Sequence, residues 1–236
     1  MLTQAGTFLF RYRNGLFPVA CLLLFLPGPD IFDDPMQAAA IGGVVALLGQ
    51  LIRGATIGLK YVVRGGRDRR VYAEDLVTDG IYSHTRNPMY VGNLLIAGGL
   101  AIVSNCWTTL AIAIPFGVFM YSAIIAAEEQ YLAQRFGAAF RAYCADVPRW
   151  FPRLSGLGRT LFSMQFRWRR VLLKEYGTPV GWISVLSLMT IYNIWESGEW
   201  RSNADDIALL RSLIVGACCF WIVAWSLKKS RRLIAD

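Results

Sequence analysis

Three short polar segments in a largely apolar chain hold the residues whose types could do chemistry. They are 86–90, which reads RNPMY, the glutamate pair at 128–129, and 147–153, which reads VPRWFPR. An arginine beside a proline that can open a helix suits a carboxylate, because a guanidinium and unpaired backbone N–H groups both bind anions. A glutamate suits an ammonium group or sugar hydroxyls. Together the segments favour a zwitterionic ligand.

The side chains allow a more specific hypothesis. Arg86 and the N–H groups near Pro88 would hold a carboxylate, while Tyr82 and Tyr90 could stack on a base or face a cation. The amino-acid end and sulfonium of S-adenosylmethionine match this set. His84 is the only histidine and a candidate base, but an exposed loop histidine without a role fits the sequence equally well. Arginines, glutamates and tyrosines at helix ends also commonly serve only as membrane anchors.

The composition places these segments in a membrane protein. The chain has 236 residues, of which 55% are apolar, and its mean hydropathy is +0.41. The apolar residues form blocks near the length of about 20 residues that a membrane-spanning helix needs. We therefore predict an all-α, polytopic transmembrane helical bundle. The net charge of +8 lies mostly in loops beside these blocks, which indicates contact with anionic lipid headgroups rather than with nucleic acid.

Six apolar blocks predict about six spans. They lie at about 16–26, extended back towards Phe8, and at 36–59, 88–103, 107–127, 179–195 and 207–227. After the fourth block the helical pattern continues with a shared apolar face, which predicts a cytoplasmic amphipathic helix at the membrane interface. The face consists of Tyr131, Leu132, Phe136 and Phe140. Five glycines of the second block should allow neighbouring helices to approach closely. They are Gly42, Gly43, Gly49, Gly54 and Gly58.

The loop charges predict the orientation. Basic residues lie at Arg11 and Arg13 and in the ranges 53–70, 135–174 and 228–232. The alternate loops, 30–34, 104–106 and 196–206, are acidic or neutral. Because basic loops stay on the cytoplasmic side, both termini and the polar segments at 76–92 and 128–129 are predicted to be cytoplasmic. The short hairpin at 104–106 should make the third and fourth spans antiparallel neighbours and bring 86–90 close to 128–129.

The same pattern suggests three structural units. These are an N-terminal transmembrane hairpin with a basic exit at 1–70, a core at 71–153, and a basic linker with a C-terminal transmembrane hairpin at 154–236. The five cysteines show no metal-ligand spacing, so we predict reduced thiols and no metal site.

Two motifs together resemble a known family. The segment 76–92, LVTDGIYSHTRNPMYVG, is followed at 128–152 by EEQYLAQRFGAAFRAYCADVPRWFP. In order and spacing they resemble the isoprenylcysteine carboxyl methyltransferases, which are similar to the phospholipid N-methyltransferases. The resemblance implies a membrane methyltransferase that binds S-adenosylmethionine at a cytosolic site and takes a lipophilic acceptor from the bilayer. It implies cofactor contacts at Leu76, Val77, Tyr82, Arg86, Asn87, Pro88, Met89, Tyr90 and Glu128.

Two positions depart from the family pattern. The family often has histidine where this chain has Asn87, and an amide does not titrate near neutral pH. The isoprenylcysteine enzymes also have an arginine, which would meet the substrate carboxylate, one helical turn before the acidic pair. This chain has Ile124 there, so the acceptor carboxylate loses its expected partner. Arg149 or Arg153 could replace it.

Several functions therefore stay open at the level of sequence. Methyl transfer needs mainly positioning and desolvation. An amine or hydroxyl acceptor would also need a proton acceptor, for which Glu129 and His84 are the candidates, whereas a carboxylate or phosphate acceptor would need none. The alternatives are an NADPH-dependent membrane reductase of the sterol-reductase type and a non-enzymatic membrane scaffold.

Overall fold

A computed structural model describes residues 2–60 and 73–230. Over these residues the chain is helical and has no β-strand longer than an isolated bridge, which confirms the all-α prediction. The helices are α1 (Leu2–Ala20), α2 (Pro35–Leu59), α3 (Pro88–Val103), α4 (Trp107–Asp146), α5 (Leu157–Ser163), α6 (Trp168–Glu175), α7 (Gly177–Glu196) and α8 (Ala204–Lys229). Two short 3₁₀ helices lie at Cys21–Phe25 and Gly80–Ser83.

The apolar blocks form helices, but these differ in their ability to cross a membrane. Among the described residues α2, α4 and α8 are long and apolar enough to do so individually. The segments Leu2–Arg13 and Pro18–Phe25 form a fourth candidate that is bent by 94°. The first span is thus not the continuous one predicted at 16–26, because Pro18 lies inside the helix and removes a backbone donor. The shorter helix α3 and the helix α7 pack within the same bundle.

Helices α2 and α3 approach each other through glycines. A Cβ atom on Gly49 would lie 2.5 Å from the carbonyl oxygen of Gly92, and Gly42 faces Gly99 in the same way. The prediction that glycines allow close approach of neighbouring helices is confirmed at these two positions. Gly58 faces the ring of Phe166, which lies between helices, and Gly54 has no neighbour within 4 Å. This crossing fixes the position of the start of α3.

The loops with few basic residues meet at one end of the bundle. Asn105 accepts a hydrogen bond from Ile31 N–H at 3.1 Å, and its side chain exchanges two bonds with the Phe32 backbone. Asn193, near the end of α7, donates to the Val103 carbonyl at 2.9 Å. At the opposite end Arg167 N–H donates to the Gly58 carbonyl at 3.0 Å. The loops predicted to be acidic or neutral therefore lie at one end, while the count of six spans and the cytoplasmic assignment stay predictions.

Helix α4 is longer than the predicted fourth span. It has 40 residues and continues through the predicted interfacial helix, with a kink at Gly137 where φ is 54°. Phe140 is buried with Tyr143 and Val147, and Leu76 packs against them. The expectation that this apolar face lies in the interface is thus wrong for Phe140, because the segment after residue 73 folds back and covers it.

Candidate functional site

The loop before α3 is fixed to the far end of α4. The 3₁₀ turn Gly80–Ser83 buries Tyr82, whose carbonyl accepts a hydrogen bond from the Tyr143 hydroxyl at 2.7 Å. Leu76 touches the same apolar cluster, whereas Val77 and Met89 are half-buried. The turn can hold this position because Gly80 has φ of +63°, a conformation that other residues rarely adopt.

Backbone and side-chain hydrogen bonds join residues 84–87 to the segment 147–153. Two are between backbones, from Arg86 N–H to Pro148 and from Arg153 N–H to His84, both at 2.9 Å. Side chains add bonds from Asn87 to the Arg149 carbonyl at 3.1 Å, from Thr85 to the Trp150 and Arg149 carbonyls at 3.1 and 3.4 Å, and between His84 Nδ1 and the Arg153 carbonyl at 2.7 Å. The structure thus brings the first and third polar segments together, in a pairing that sequence spacing did not predict.

The second polar segment also reaches this place. Tyr90, in the first turn of α3, donates a hydrogen bond from its hydroxyl to Glu128 Oε1 at 2.7 Å. Glu128 is 5% exposed, and Asn87 and Pro88 beside it are buried. The predicted proximity of these segments is confirmed, since the tight turn at 104–106 makes α3 and α4 antiparallel. A buried carboxylate therefore lies at the entrance of α3.

Glu129 lies between two arginines. Its Oε1 is 2.9 Å from Arg86 Nη1 and 3.2 Å from Arg149 Nε, and its Oε2 is 2.5 Å from Arg149 Nη2. Arg153, by contrast, is exposed and donates to the Asp146 carbonyl at 2.5 Å. Arg149 is therefore the arginine of the third segment that joins the acidic pair.

His84 is buried, so the expectation of an exposed loop histidine is wrong. Its Nδ1 lies 2.7 Å from the Arg153 carbonyl, and its Nε2 lies 2.9 Å from the Thr160 hydroxyl of α5. Since a carbonyl only accepts, Nδ1 donates, and in a neutral ring Nε2 then accepts from Thr160. The imidazole thus connects the loop before α3 to α5.

Comparison with known proteins places this site in a family context. A family model described as "Phospholipid methyltransferase" matches residues 65–139. Cobalt-zinc-cadmium resistance protein CzcN of Cupriavidus metallidurans is 43% identical over 153 residues, which cover 63% of this chain and 67% of that protein. Protein-S-isoprenylcysteine O-methyltransferase of Schizosaccharomyces pombe is 32% identical over 122 residues, which cover 49% of each chain.

This chain belongs to the isoprenylcysteine carboxyl methyltransferase and phospholipid methyltransferase family. A second resistance protein also resembles it. Nickel-cobalt-cadmium resistance protein NccN of Alcaligenes xylosoxydans xylosoxydans is 33% identical over 152 residues, which cover 63% of this chain and 68% of that protein. No solved structure matches the chain.

In this chain the position of the missing arginine is apolar. Ile124 is fully buried in a cluster with Phe10, Met120 and Tyr121, against which Tyr90 and Trp150 pack. Over the described ranges, no group of three or more His, Cys, Asp or Glu side chains is placed to hold a metal ion.

The chain also has a second polar cluster that the sequence did not predict. Arg53 binds Glu175 through Nε at 2.6 Å and through Nη2 at 2.8 Å, and its Nη1 donates to Asn93 Oδ1. Arg53 lies inside α2, not in the basic exit where the charge pattern placed it. An arginine within an apolar block could have indicated this cluster, since charges at membrane depth are costly. Nothing in the sequence indicated that its partner would be Glu175, 122 residues away.

Proposed function

We propose that this protein is an integral membrane methyltransferase that uses S-adenosylmethionine and acts on a lipophilic acceptor. The observation that carries the proposal is the buried contact between Tyr90 and Glu128 at the entrance of α3. A carboxylate at this depth complements a cationic ligand, and Tyr90 fixes its direction. The family membership supports the methyl-transfer class.

The donor set fits the methyl donor. S-adenosylmethionine, when bound, supplies an electrophilic methyl group on a sulfonium. Glu128 would hold a positively charged or hydroxyl group, and Arg86 a carboxylate. Tyr82, Asn87, Pro88, Met89 and Tyr90 would form the surrounding walls, and Leu76 with Val77 would pack against the apolar part of the ligand. The bonds from residues 84–87 to 147–153 would keep these walls in place.

The contacts of the candidate bases favour an acceptor that arrives as an anion. Both carboxylate oxygens of Glu129 are held by arginines, and both ring nitrogens of His84 have protein partners. Either group would have to break these bonds to remove a proton. A carboxylate, phosphate or thiolate acceptor needs no such step, and Arg149 is 43% exposed and could meet its charge.

The surroundings support delivery of this acceptor from the membrane. After α4 the chain exposes large apolar side chains next to arginines, a combination that suits the headgroup region of an anionic leaflet. The apolar ones are Phe151, Leu154, Phe162 and Trp168. The exposed arginines among them are Arg153, Arg159, Arg167 and Arg169. Anionic lipid headgroups would thus surround the entrance to the site.

Calorimetric binding of S-adenosylhomocysteine to detergent-purified protein tests the proposal. The wild-type protein should bind it, and Glu128→Gln and Tyr90→Phe should weaken binding at least tenfold, since a buried charge-assisted hydrogen bond contributes about 1.5–3 kcal/mol. Tyr192→Phe, at the opposite end of the bundle, is the matched control and should bind as wild type does.

The same measurement separates the rival functions. Binding of NADPH without binding of S-adenosylhomocysteine would show a reductase, and binding of neither by a folded protein would support the scaffold. Incubation with a methyl-labelled donor and membrane extract, followed by mass spectrometry, then identifies the acceptor. An exclusively amine product would contradict the preference for an anionic acceptor while leaving methyl transfer intact.

A further inference from the structure

The Arg53–Glu175 pair is buried within the bundle. The Glu175 side chain is 3% exposed and that of Arg53 13%. Removing two charges from water costs about as much as their attraction returns, so a buried pair contributes little net stability relative to apolar side chains of similar size. Ionisable groups at membrane depth are more often retained for function. The contacts of this pair indicate which function it has.

On one side the pair reaches the end of the polar motif. Arg53 crosses α3 at Gly92, the last residue of the segment 76–92, where a Cβ atom would lie 2.6 Å from Arg53 Cγ. The guanidinium then holds the side chain of Asn93. Gly92 therefore leaves room for the Arg53 side chain. It has no part in the loop that precedes α3.

From Asn93 the contacts continue to the candidate site. Its side chain also interacts with the Tyr121 side chain of α4. The Tyr121 ring lies 5.3 Å from the Tyr90 ring, measured between centroids, and the Tyr90 hydroxyl binds Glu128. A displacement of Arg53 would thus be passed through two side chains to the residue that fixes the buried carboxylate.

On the other side the pair holds the C-terminal helices. Glu175 is the last residue of α6, and it also accepts a hydrogen bond from Gln50 of α2 at 3.2 Å. Gln50 in turn accepts from Trp182 of α7 at 3.1 Å, and Arg53 donates to Thr178 at 3.3 Å. Helices α6 and α7 are therefore anchored to α2 at the level of Asn93.

We propose that Arg53 and Glu175 are positioning residues of the methyl-transfer site, and that they make α6 and α7 part of the catalytic unit. The inference rests on the proposed function. Glu175 fixes the guanidinium, the guanidinium fixes Asn93, and Asn93 with Tyr121 fixes Tyr90 against Glu128. Helices α6 and α7 thereby help to position a site that α3 and α4 form. Glu175 lies outside the sequence motifs of that site.

The decisive variant removes both charges together, as Arg53→Met with Glu175→Leu. Replacement of a buried pair by apolar side chains is often neutral for stability, so the double variant should remain monodisperse in detergent with a Tm close to that of wild type. If the pair positions the site, S-adenosylhomocysteine should bind at least tenfold more weakly. Wild-type affinity at unchanged Tm would overturn the inference.

Asn193→Leu is the matched control. It removes the hydrogen bond from α7 to the Val103 carbonyl of α3, at the opposite end of the bundle. Its affinity should equal that of wild type. An equal loss of affinity in Asn193→Leu would show that any loosening of α7 affects the site, and it would overturn the specific role of the pair.

Two further variants keep the test informative. Glu175→Gln retains the shape and removes only the charge, so it replaces the double variant if that protein does not fold, with the same tenfold criterion. Arg53→Lys keeps the charge but lacks the planar fork and should bind with intermediate affinity. If wild-type protein itself does not bind S-adenosylhomocysteine, the proposed function fails and the inference with it; normal wild-type binding together with normal binding by the variants refutes the inference alone.

Discussion

Two glutamates of this protein are each held by arginine, and they lie in different surroundings. Glu129 bridges Arg86 and Arg149 from inside α4, where its own side chain is 16% exposed and that of Arg149 is 43% exposed. Glu175 binds Arg53 between α2, α3 and α6, where its own side chain is 3% exposed. The first turns of α3 carry Tyr90, which binds Glu128 next to Glu129, and Asn93, which binds Arg53.

The difference in exposure implies a difference in consequence. Water and salt weaken the attraction between the exposed Arg149 and Glu129, so this ion pair can be exchanged at small cost. At Glu175 the described residues supply Arg53 as the salt-bridge partner, and both side chains are largely buried, so removal of one partner leaves a buried charge. The outer cluster is therefore suited to meeting a ligand, and the inner one to fixing geometry.

The largest effect should come from breaking the inner pair on one side only. Arg53→Met leaves Glu175 buried without its arginine, which we expect to cost about 3–5 kcal/mol of folding free energy. Thermal unfolding in detergent measures this loss. Arg149→Met is the matched variant of the outer cluster and should cost about 1 kcal/mol or less. Equal shifts in Tm would show that the two clusters do not differ in burial.

A smaller effect is expected from filling the gap that Arg53 occupies. In Gly92→Ala the new methyl group would lie 2.6 Å from Arg53 Cγ and 2.8 Å from the Gly49 carbonyl oxygen. Overpacking of this kind costs about 1–3 kcal/mol, and the affinity for S-adenosylhomocysteine should fall with it. Gly54→Ala on α2 has nothing within 4 Å of the added atom and should leave Tm and affinity unchanged. An unchanged Tm in Gly92→Ala would contradict the close contact between Gly92 and the Arg53 side chain.

Salt should affect the outer cluster and spare the inner one. Between about 0.01 M and 1 M salt the screening length falls from about 30 Å to about 3 Å. The difference in Tm between wild type and Arg149→Met should shrink over this range, by about 1 kcal/mol or less in free energy. The difference between wild type and Glu175→Gln should stay constant. A salt-dependent Glu175→Gln effect would place the inner pair in water.

The smallest effect belongs to the exposed pair of Lys60 and Asp79. Hydrogen bonding from Lys60, at 2.7 Å, lowers the pKa of Asp79 below its ordinary value. The contribution to stability is therefore present above the ordinary carboxyl pKa and is lost as pH falls through the lowered one. Lys60→Met should remove less than about 1 kcal/mol at neutral pH and nothing in strong acid. Unfolding curves of wild type and Lys60→Met at acid and at neutral pH measure this difference in stability. A difference that grows towards low pH would contradict the lowered pKa of Asp79.

Local patterns in the sequence predicted the parts of this site that depend on nearby residues. The turn at 104–106 brings Tyr90 to Glu128, and Pro88 begins α3, as its position before an apolar block indicates. The glycine contacts of α2 likewise follow from the spacing of small residues. The proposed roles of these residues in binding or catalysis stay predictions.

The missed parts depend on contacts between distant segments. His84 is buried only because residues 153 and 160 cover it, and nothing near it in sequence indicates this. The sequence pattern grouped Arg53 with the basic residues after α2. Its contact with Glu175 spans 122 residues, and local patterns do not predict such a contact. The helical continuation after residue 127 was predicted to lie at the membrane interface, because the apolar stripe at 131–140 does not reveal that Leu76 packs against it.

The shortness of α3 has a consequence for the membrane itself. Its 16 residues span about 24 Å at about 1.5 Å per residue, whereas the hydrocarbon layer of a typical bilayer is about 30 Å thick. If α3 spans the bilayer, as the sequence predicts, the lipid layer must thin around this helix, or the residues at its ends must lie beneath the headgroups. Tyr90 and Asn93 would then stand at the depth of the first acyl carbons. An acceptor could react there without leaving its leaflet, and the thickness of the surrounding bilayer would become a determinant of which lipids reach the site.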